Sequence, residues 1–221
     1  MKYFSPDFLK FFKDLAANNN RDWFQTNKSR YEESVKKPFE IFVGELIKSV
    51  QKDDKNINIK PSEAIFRINK DIRFSKDKTP YKLNTSAIIA PGGRKSMHSS
   101  GIYVELGPEK LAIGGGIYMP EKELLNDIRE LIAKNPKEMM KVLADKKFTE
   151  MWGEMQGEKN KVLHADFKKA AEICPYIYNK QFYYWVELNP KEILSEDLLK
   201  TIMSYYKASK PVSNYLAKAI K

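Results

Sequence analysis

Hydrophobic positions in the first fifty residues recur with the period of an α-helix. The first helix is predicted to begin at Ser5 and Pro6, a pair typical of a helix start. Its apolar residues share one helical face: Phe4, Phe8, Phe11, Phe12 and Leu15. The asparagines at residues 18–20 end this helix and can cap a second one, and a third apolar repeat follows Pro38. The N-terminal region is therefore predicted to be helical.

The pattern changes between Ile65 and Ser75, where hydrophobic and polar residues alternate as in a half-buried β-strand. Apolar side chains occupy the even positions: Phe66, Ile68, Ile72 and Phe74. Polar side chains occupy the odd positions: Arg67, Asn69, Asp71, Arg73 and Ser75. The segment is predicted to form either one long strand or two short strands broken near Lys70. A polar run ending at Pro80 follows and predicts a surface turn.

Further strands are predicted later in the chain. Residues 85–90 are β-prone, and residues 101–106 and 111–118 predict a hairpin. Three glycines at residues 114–116 lie inside the second strand of that hairpin, where glycine marks a bulge or a close approach by another backbone or a ligand. Phe182–Leu188 predicts a strand that joins the sheet out of sequence order.

Helical patterns return after Pro120, over Pro136–Leu143 and in residues 196–220, where Pro211 is predicted to separate two helices. Helices, then strands, then helices is an order typical of the α+β class. We therefore predict a single α+β domain over residues 1–221. Its antiparallel sheet is expected to have about five or six strands, with helices before and after it packed mainly on one face.

Positive charge is concentrated around the alternating segment. The chain carries 39 Lys and Arg against 29 Asp and Glu, and residues 63–95 hold eight of these cations but three of the carboxylates. That segment of 33 residues therefore supplies +5 of the net charge of +10. It also holds three of the six arginines, whose planar guanidinium can bind a carboxylate or a phosphate through two hydrogen bonds.

These residues define a candidate binding site. Arg67 and Arg73 are expected to form its floor, and the following lysines to close around a ligand. The predicted ligand-binding residues are Arg67, Asp71, Arg73, Lys76, Lys78, Tyr81, Lys82 and Arg94. Asp71 is also the candidate catalytic residue, although the sequence favours a structural ion pair with a neighbouring arginine.

Three motifs in the chain resemble a known family. They are NNNRDWFQTNKSRYEESVKKP from residue 18, FRINKDIRFSKDKTPYK from residue 66 and GGGIYMP from residue 114. Together they resemble the signature of a family of conserved hypothetical proteins classed as a domain of unknown function. Lys70 departs from that signature, which has arginine there. The resemblance implies a unified domain and carries no activity with it.

Composition limits the remaining possibilities. Cys174 is the only cysteine, so no internal disulfide can form and a cytoplasmic location is expected. We find no targeting signal and no apolar run long enough to span a membrane, so no membrane partner is expected. No cluster of Cys, His or carboxylate residues has metal-ligand spacing, so no metal site is predicted. His98 is expected to be an exposed loop residue, and the sequence identifies no cofactor or oligomeric state.

Three functions fit these observations. The first is binding of a phosphorylated or carboxylate small molecule at the cationic site. The second is an enzyme that acts on a phosphorylated substrate, with Asp71 or Asp77 as a base or metal ligand. The third is association with nucleic acid through the same charges, although no helix-turn-helix, zinc-finger, RRM or KH pattern is present. Whether the protein is an enzyme is therefore left open.

Overall fold

A computed structural model describes residues 1–95 and 101–220 of the chain, so His98 lies outside the described residues. The α-helices are α1 (Pro6–Ala17), α2 (Arg21–Thr26), α3 (Lys28–Tyr31), α4 (Lys37–Gln51), α5 (Pro61–Ala64), α6 (Lys122–Lys134), α7 (Pro136–Leu143), α8 (Lys146–Trp152), α9 (Lys168–Ala171) and α10 (Leu198–Ala217). The strands are β1 (Thr85–Ile89), β2 (Ile102–Leu106), β3 (Leu111–Ile117) and β4 (Phe182–Leu188). A π-helical segment, Glu32–Lys36, joins α3 to α4.

The four strands form an antiparallel sheet in the order β1-β2-β3-β4. The predicted α+β class is confirmed, whereas the predicted five or six strands are too many. The prediction that Phe182–Leu188 enters the sheet out of sequence order is wrong, because β4 lies beside β3. The neighbours of β3 in the sheet are β2 and β4.

The strand predicted between Ile65 and Ser75 is absent as a regular element, which accounts for the lower number of strands. Isolated antiparallel bridges join Ile65 to Ala87 and Asn69 to Tyr81. Between these bridges the chain advances by four residues on one side, from Ile65 to Asn69, and by six on the other, from Tyr81 to Ala87. The second side therefore carries two extra residues. The extra residues form a bend at Leu83 and Asn84. This bend interrupts the hydrogen-bond ladder that a continuous strand requires.

The described chain divides into two compact units. Unit 1 comprises Met1–Arg94, Tyr103–Ile113 and Glu187–Met203, and unit 2 comprises mainly Gly114–Val186 and residues 204–220. Strands β2, β3 and β4 each contribute residues to both units. The single domain therefore stays a prediction.

Aromatic side chains form much of the core of unit 1. The predicted apolar face of α1 is buried, and the Phe4 ring lies 5.7 Å from the Phe42 ring of α4. Phe11 contacts Phe24 and Tyr31, with ring centroids 6.3 Å and 5.6 Å apart. Rings at these separations add contact energy to that of simple burial. They fix the helices that carry residues 18–31 near the cationic segment.

Unit 2 has its own buried centre around Tyr184. Its ring lies 5.3 Å from that of Phe148 and 4.7 Å from that of Trp152, and its hydroxyl is 2.7 Å from the Ser213 hydroxyl. The prediction that Pro211 separates two helices is wrong, because α10 continues through it. Proline removes one backbone donor, but the residues that follow Pro211 are buried along α10 and hold the helix together: Val212, Tyr215 and Leu216. Cys174 is buried and free.

No helix in residues 1–95 and 101–220 combines the length and apolar character needed to cross a membrane. Within the same residues no three His, Cys, Asp or Glu side chains are grouped so as to hold a metal ion.

Candidate functional site

The cationic hairpin, defined as residues 65–82, is a loosely paired loop at the surface of unit 1. The hydrogen bonds of its two bridges hold it, among them Phe66 N–H to Ser86 O (2.9 Å), Lys82 N–H to Ile68 O (2.8 Å) and Lys70 N–H to Pro80 O (2.9 Å). The exposure of side chains alternates as the sequence predicts from Phe66 to Ile72. The alternation ends at Phe74, whose side chain is 95% exposed.

Tyr81 anchors one side of the hairpin and is not available as a surface contact. Its ring is buried and stacks on Phe24 with centroids 4.0 Å apart. The side-chain amide of Asn19 binds both backbone groups of Tyr81: it donates to the carbonyl (2.9 Å) and accepts from the N–H (3.1 Å). The motif at residues 18–38 thus positions the motif at residues 66–82. Sequence reasoning missed this link because the two residues are 62 positions apart.

Asp71 and Arg73 form an ion pair with each other. The Arg73 guanidinium donates two hydrogen bonds to the Asp71 carboxylate, at 2.7 Å and 3.0 Å, and the Arg73 backbone N–H donates a third at 3.3 Å. These hydrogen bonds, with a smaller effect from the Arg67 charge, lower the pKa of Asp71. The ion-pair interpretation considered from the sequence therefore matches the observed contact.

The loop after Arg73 is braced by a second set of local contacts. The Lys70 ammonium donates to the Asp77 carboxylate (2.8 Å) and to the Thr79 hydroxyl (2.7 Å). The Lys70 hydrogen bond, followed by those from the backbone N–H and hydroxyl of Thr79, keeps the pKa of Asp77 well below its usual range. The Lys78 ammonium donates to the backbone carbonyl of Ile72 (3.0 Å). Lys78, a predicted ligand-binding residue, and Asp77, a candidate base or metal ligand, are thus already engaged within the loop.

Arg94 is directed to the other end of the hairpin. Its guanidinium donates to the backbone carbonyls of Ser62 and of Ile65, the latter at 2.8 Å, next to the short helix α5. The structure therefore places Arg94 as a cap on backbone carbonyls rather than beside Arg73.

Lys82 and Arg67 both belong to the base of the hairpin, and the charge of Arg67 acts on Lys82. Lys82 is half-buried, its ammonium lies 5.5 Å from the centre of the Phe66 ring, and it has no hydrogen-bond or ion-pair partner in the described part of the chain. Desolvation lowers the pKa of Lys82; the Glu105 carboxylate opposes this effect and the Arg67 charge adds to it. Glu105 itself accepts a hydrogen bond from the Tyr103 hydroxyl (2.9 Å).

Tyr103 and Glu105 of β2 were not among the predicted site residues, although their spacing in the sequence could have indicated them. Tyr103 and Glu105 are two residues apart on a strand, so they share one face of the sheet. Both are half-buried on that face. What the sequence could not supply was the pairing that brings this face beside Lys82.

A cavity of about 330 Å³ lies in unit 1, between α1 and the turn that joins β2 to β3. Its lining is Lys13, Ala16, Leu83, Asn84, Glu105, Gly107, Pro108, Glu109 and Lys110. None of the eight predicted ligand-binding residues lines it. The cationic hairpin is therefore an open surface feature and not the wall of this cavity.

Residues 7–215 match the family described as a conserved hypothetical protein (DUF2461). The match extends over nearly all of the 221 residues. The chain belongs to this family. The resemblance predicted from the sequence is thereby confirmed. The comparison of this DUF2461 chain with curated proteins found no match.

The three consecutive glycines at residues 114–116 of this DUF2461 chain are explained by packing within unit 2. A Cβ atom at Gly115 would lie 2.5 Å from Cε2 of Tyr184, and one at Gly114 would lie 2.6 Å from Cε3 of Trp185. Gly116 has a φ of 89° and lies against the backbone of β4. Of the two roles considered for these glycines, the structure favours close approach by another strand and its aromatic rings.

Proposed function

We propose that this DUF2461 protein binds an anionic small ligand through Lys82 and Arg67. The half-buried ammonium of Lys82, which lacks an acceptor in the described residues, is the observation that carries the proposal. Removing a charge from water without giving it a partner costs free energy. An oxygen of a phosphate or carboxylate would be the missing partner.

The charges around Lys82 also favour an anion. Arg67 is exposed, forms no hydrogen bond or ion pair with a described residue, and lies close enough for its charge to lower the pKa of Lys82. Glu105 is the carboxylate that acts on Lys82 in the opposite direction. Two cations and one carboxylate leave one uncompensated positive charge. A bound phosphate or carboxylate would neutralise it and relieve the repulsion between the cations.

The carboxylates that an enzyme would use are occupied. Asp71 accepts hydrogen bonds from Arg73, and Asp77 accepts from Lys70 and Thr79. Because their pKa values are lowered, both carboxylates stay ionised and are weak bases. Ligand binding is therefore the better-supported function.

Isothermal titration calorimetry at low ionic strength tests the proposal, with inorganic phosphate and pyrophosphate as probes. Replacing Lys82 with Met or Arg67 with Ala is expected to weaken binding about tenfold each, because each removes one charge-assisted hydrogen bond. Lys52→Met and Arg21→Ala are the matched controls, since both residues are exposed cations of unit 1 outside the hairpin.

The controls are expected to bind as the unmodified protein does. Equal losses in all four variants would mean that the probes respond only to overall positive charge, and the proposal would then be wrong. Absence of binding by the unmodified protein at low ionic strength would also contradict it.

A further inference from the structure

Phe74 is an exception among the phenylalanines of this chain. The chain has 12, and Phe74 alone is among the exposed large hydrophobic side chains, with 95% of its surface accessible. The other phenylalanines are buried or half-buried. Exposing an aromatic ring of this size forgoes a large hydrophobic gain, so the folding of the domain does not explain its position.

The loop contacts hold Phe74 outward at the tip of the hairpin. Asp71 pairs with Arg73 on one side, and Asp77 pairs with Lys70 on the other. The Arg73 guanidinium lies 5.8 Å from the centre of the Phe74 ring. Lys76, two residues further on, is exposed and forms no hydrogen bond or ion pair with a described residue. The ring thus has one guanidinium beside it and stands on a loop that local ion pairs brace.

An open aromatic ring at the tip of a cationic hairpin suits one kind of partner. Unpaired nucleobases stack on aromatic rings while lysines and arginines contact the phosphates between them. A mononucleotide stacked on this exposed ring would be held on one face only. A nucleic-acid strand supplies several phosphates at once, so it can contact both the tip and the base of an open hairpin.

We propose that the cationic hairpin binds single-stranded nucleic acid, with a base stacked on Phe74 and phosphates on Lys76, Arg67 and Lys82. The proposal rests on the anion site proposed above for its phosphate contacts and adds the class of ligand. A membrane surface is less well suited, because Phe74 is the single fully exposed apolar side chain of this hairpin and stable membrane attachment needs more apolar area.

Fluorescence anisotropy with a labelled single-stranded oligothymidylate of about 12 nucleotides tests this inference. Phe74→Ala and Phe74→Leu are each expected to weaken binding about tenfold, because neither side chain stacks on a base. Phe74→Tyr is expected to retain affinity. The slope of log Kd against log salt concentration should be unchanged in the Phe74 variants, because their phosphate contacts remain, and should become shallower in Lys82→Met.

The outcomes separate this inference from the proposed function. If pyrophosphate binds through Lys82 and Arg67 but the oligonucleotide does not bind, or binds equally well to Phe74→Ala, the inference fails and the anion site stands. If neither probe binds, both proposals fail. Binding to vesicles of phosphatidylcholine and phosphatidylserine that is retained in Phe74→Leu would assign the ring to a membrane and overturn the inference.

Discussion

At the scale of single residues, the cations of the hairpin differ in what already balances their charge. Arg73 and Lys70 each contact a carboxylate of the same loop. Lys82 is half-buried without such a contact, and Arg67 is close to it. The charge left for a ligand is therefore located at the base of the hairpin, which a count of lysines and arginines in the sequence could not show.

Replacing Lys82 with Met is expected to raise the free energy of unfolding by about 0.5 kcal/mol or less, because it removes a desolvated charge and keeps the contact with Phe66. The pKa of Lys82 is lowered from 10.5, so the unfolded chain binds this proton more tightly than the folded chain does. Stability should accordingly rise with pH between the folded and unfolded pKa values of Lys82, and Lys82→Met should lack this rise.

Urea unfolding at neutral pH and at about pH 10 measures both effects of Lys82→Met. Lys52→Met is the control, since Lys52 is exposed. A clear loss of stability in Lys82→Met would mean that the ammonium has a structural partner and is not held for a ligand.

Asn19 has the opposite role, because it stabilises the hairpin and contacts no ligand. Asn19→Ala leaves the backbone N–H and carbonyl of the buried Tyr81 without their partners. It is expected to lower the free energy of unfolding by about 1–3 kcal/mol. Asn18→Ala removes one exposed hydrogen bond to Asp14 and should cost about 0.5 kcal/mol or less. Urea unfolding of the two variants makes the comparison, and equal effects would contradict the anchoring role.

At the scale of elements, the hydrophobic pattern predicted which side chains of a segment are exposed better than it predicted which segments pair with each other. The alternation from Phe66 to Ile72 correctly indicated which side chains are exposed, but it did not indicate a regular strand. Whether an extended segment becomes a strand depends on an unbroken ladder with its neighbour. Here the neighbour carries two extra residues at Leu83 and Asn84, and no periodicity within residues 65–75 reports that.

The same limit applies to β4 and to α10. The sequence of β4 predicted a strand, but its position beside β3 depends on contacts made by residues 114–116 with the rings of β4. Pro211 signalled a break that burial on both sides of it overcame. Local preference is outweighed in each case by packing between distant parts of the chain.

Two glycine variants test the packing of individual elements. Gly115→Ala would place a Cβ atom 2.5 Å from the Tyr184 ring, which is enclosed, and is expected to lower the free energy of unfolding by about 3 kcal/mol. Gly44→Ala in α4 would place its Cβ atom 3.7 Å from Pro61, an ordinary contact. It should raise stability by about 0.5–1 kcal/mol, because alanine favours a helix over glycine. Thermal unfolding of both variants is the measurement, and a tolerated Gly115→Ala would show that Tyr184 can move.

At the scale of the whole molecule, the family match extends through residues of both compact units. The sequence predicted one domain from the order of its helix and strand patterns and from the resemblance of its motifs to one family. Strands β2, β3 and β4 each supply residues to both units, so neither unit contains a complete set of strands. We therefore keep the prediction of one cooperative domain.

Tryptophan fluorescence can test this cooperativity. Trp23 lies in unit 1, and Trp152 and Trp185 lie in unit 2. A variant that keeps only Trp23 reports on unit 1, and a variant that keeps only Trp152 and Trp185 reports on unit 2. In each chain the fluorescence transition is expected to coincide with loss of helical circular dichroism, because a two-state domain unfolds as a whole. A fluorescence midpoint that differs from the circular dichroism midpoint in either chain would divide the protein into separate domains.

The braced loop at the tip of the hairpin, residues 71–79, makes its hydrogen bonds mainly within itself. Within the described chain, the side-chain hydrogen bonds of residues 71–79 reach no further than Lys70, and the backbone bond from Lys70 to Pro80 closes the loop behind them. A short Asn-Gly turn could replace the nine residues without disturbing anything beneath them. Recognition could therefore change through this loop alone, by insertion, deletion or exchange, while the scaffold that presents it stays the same.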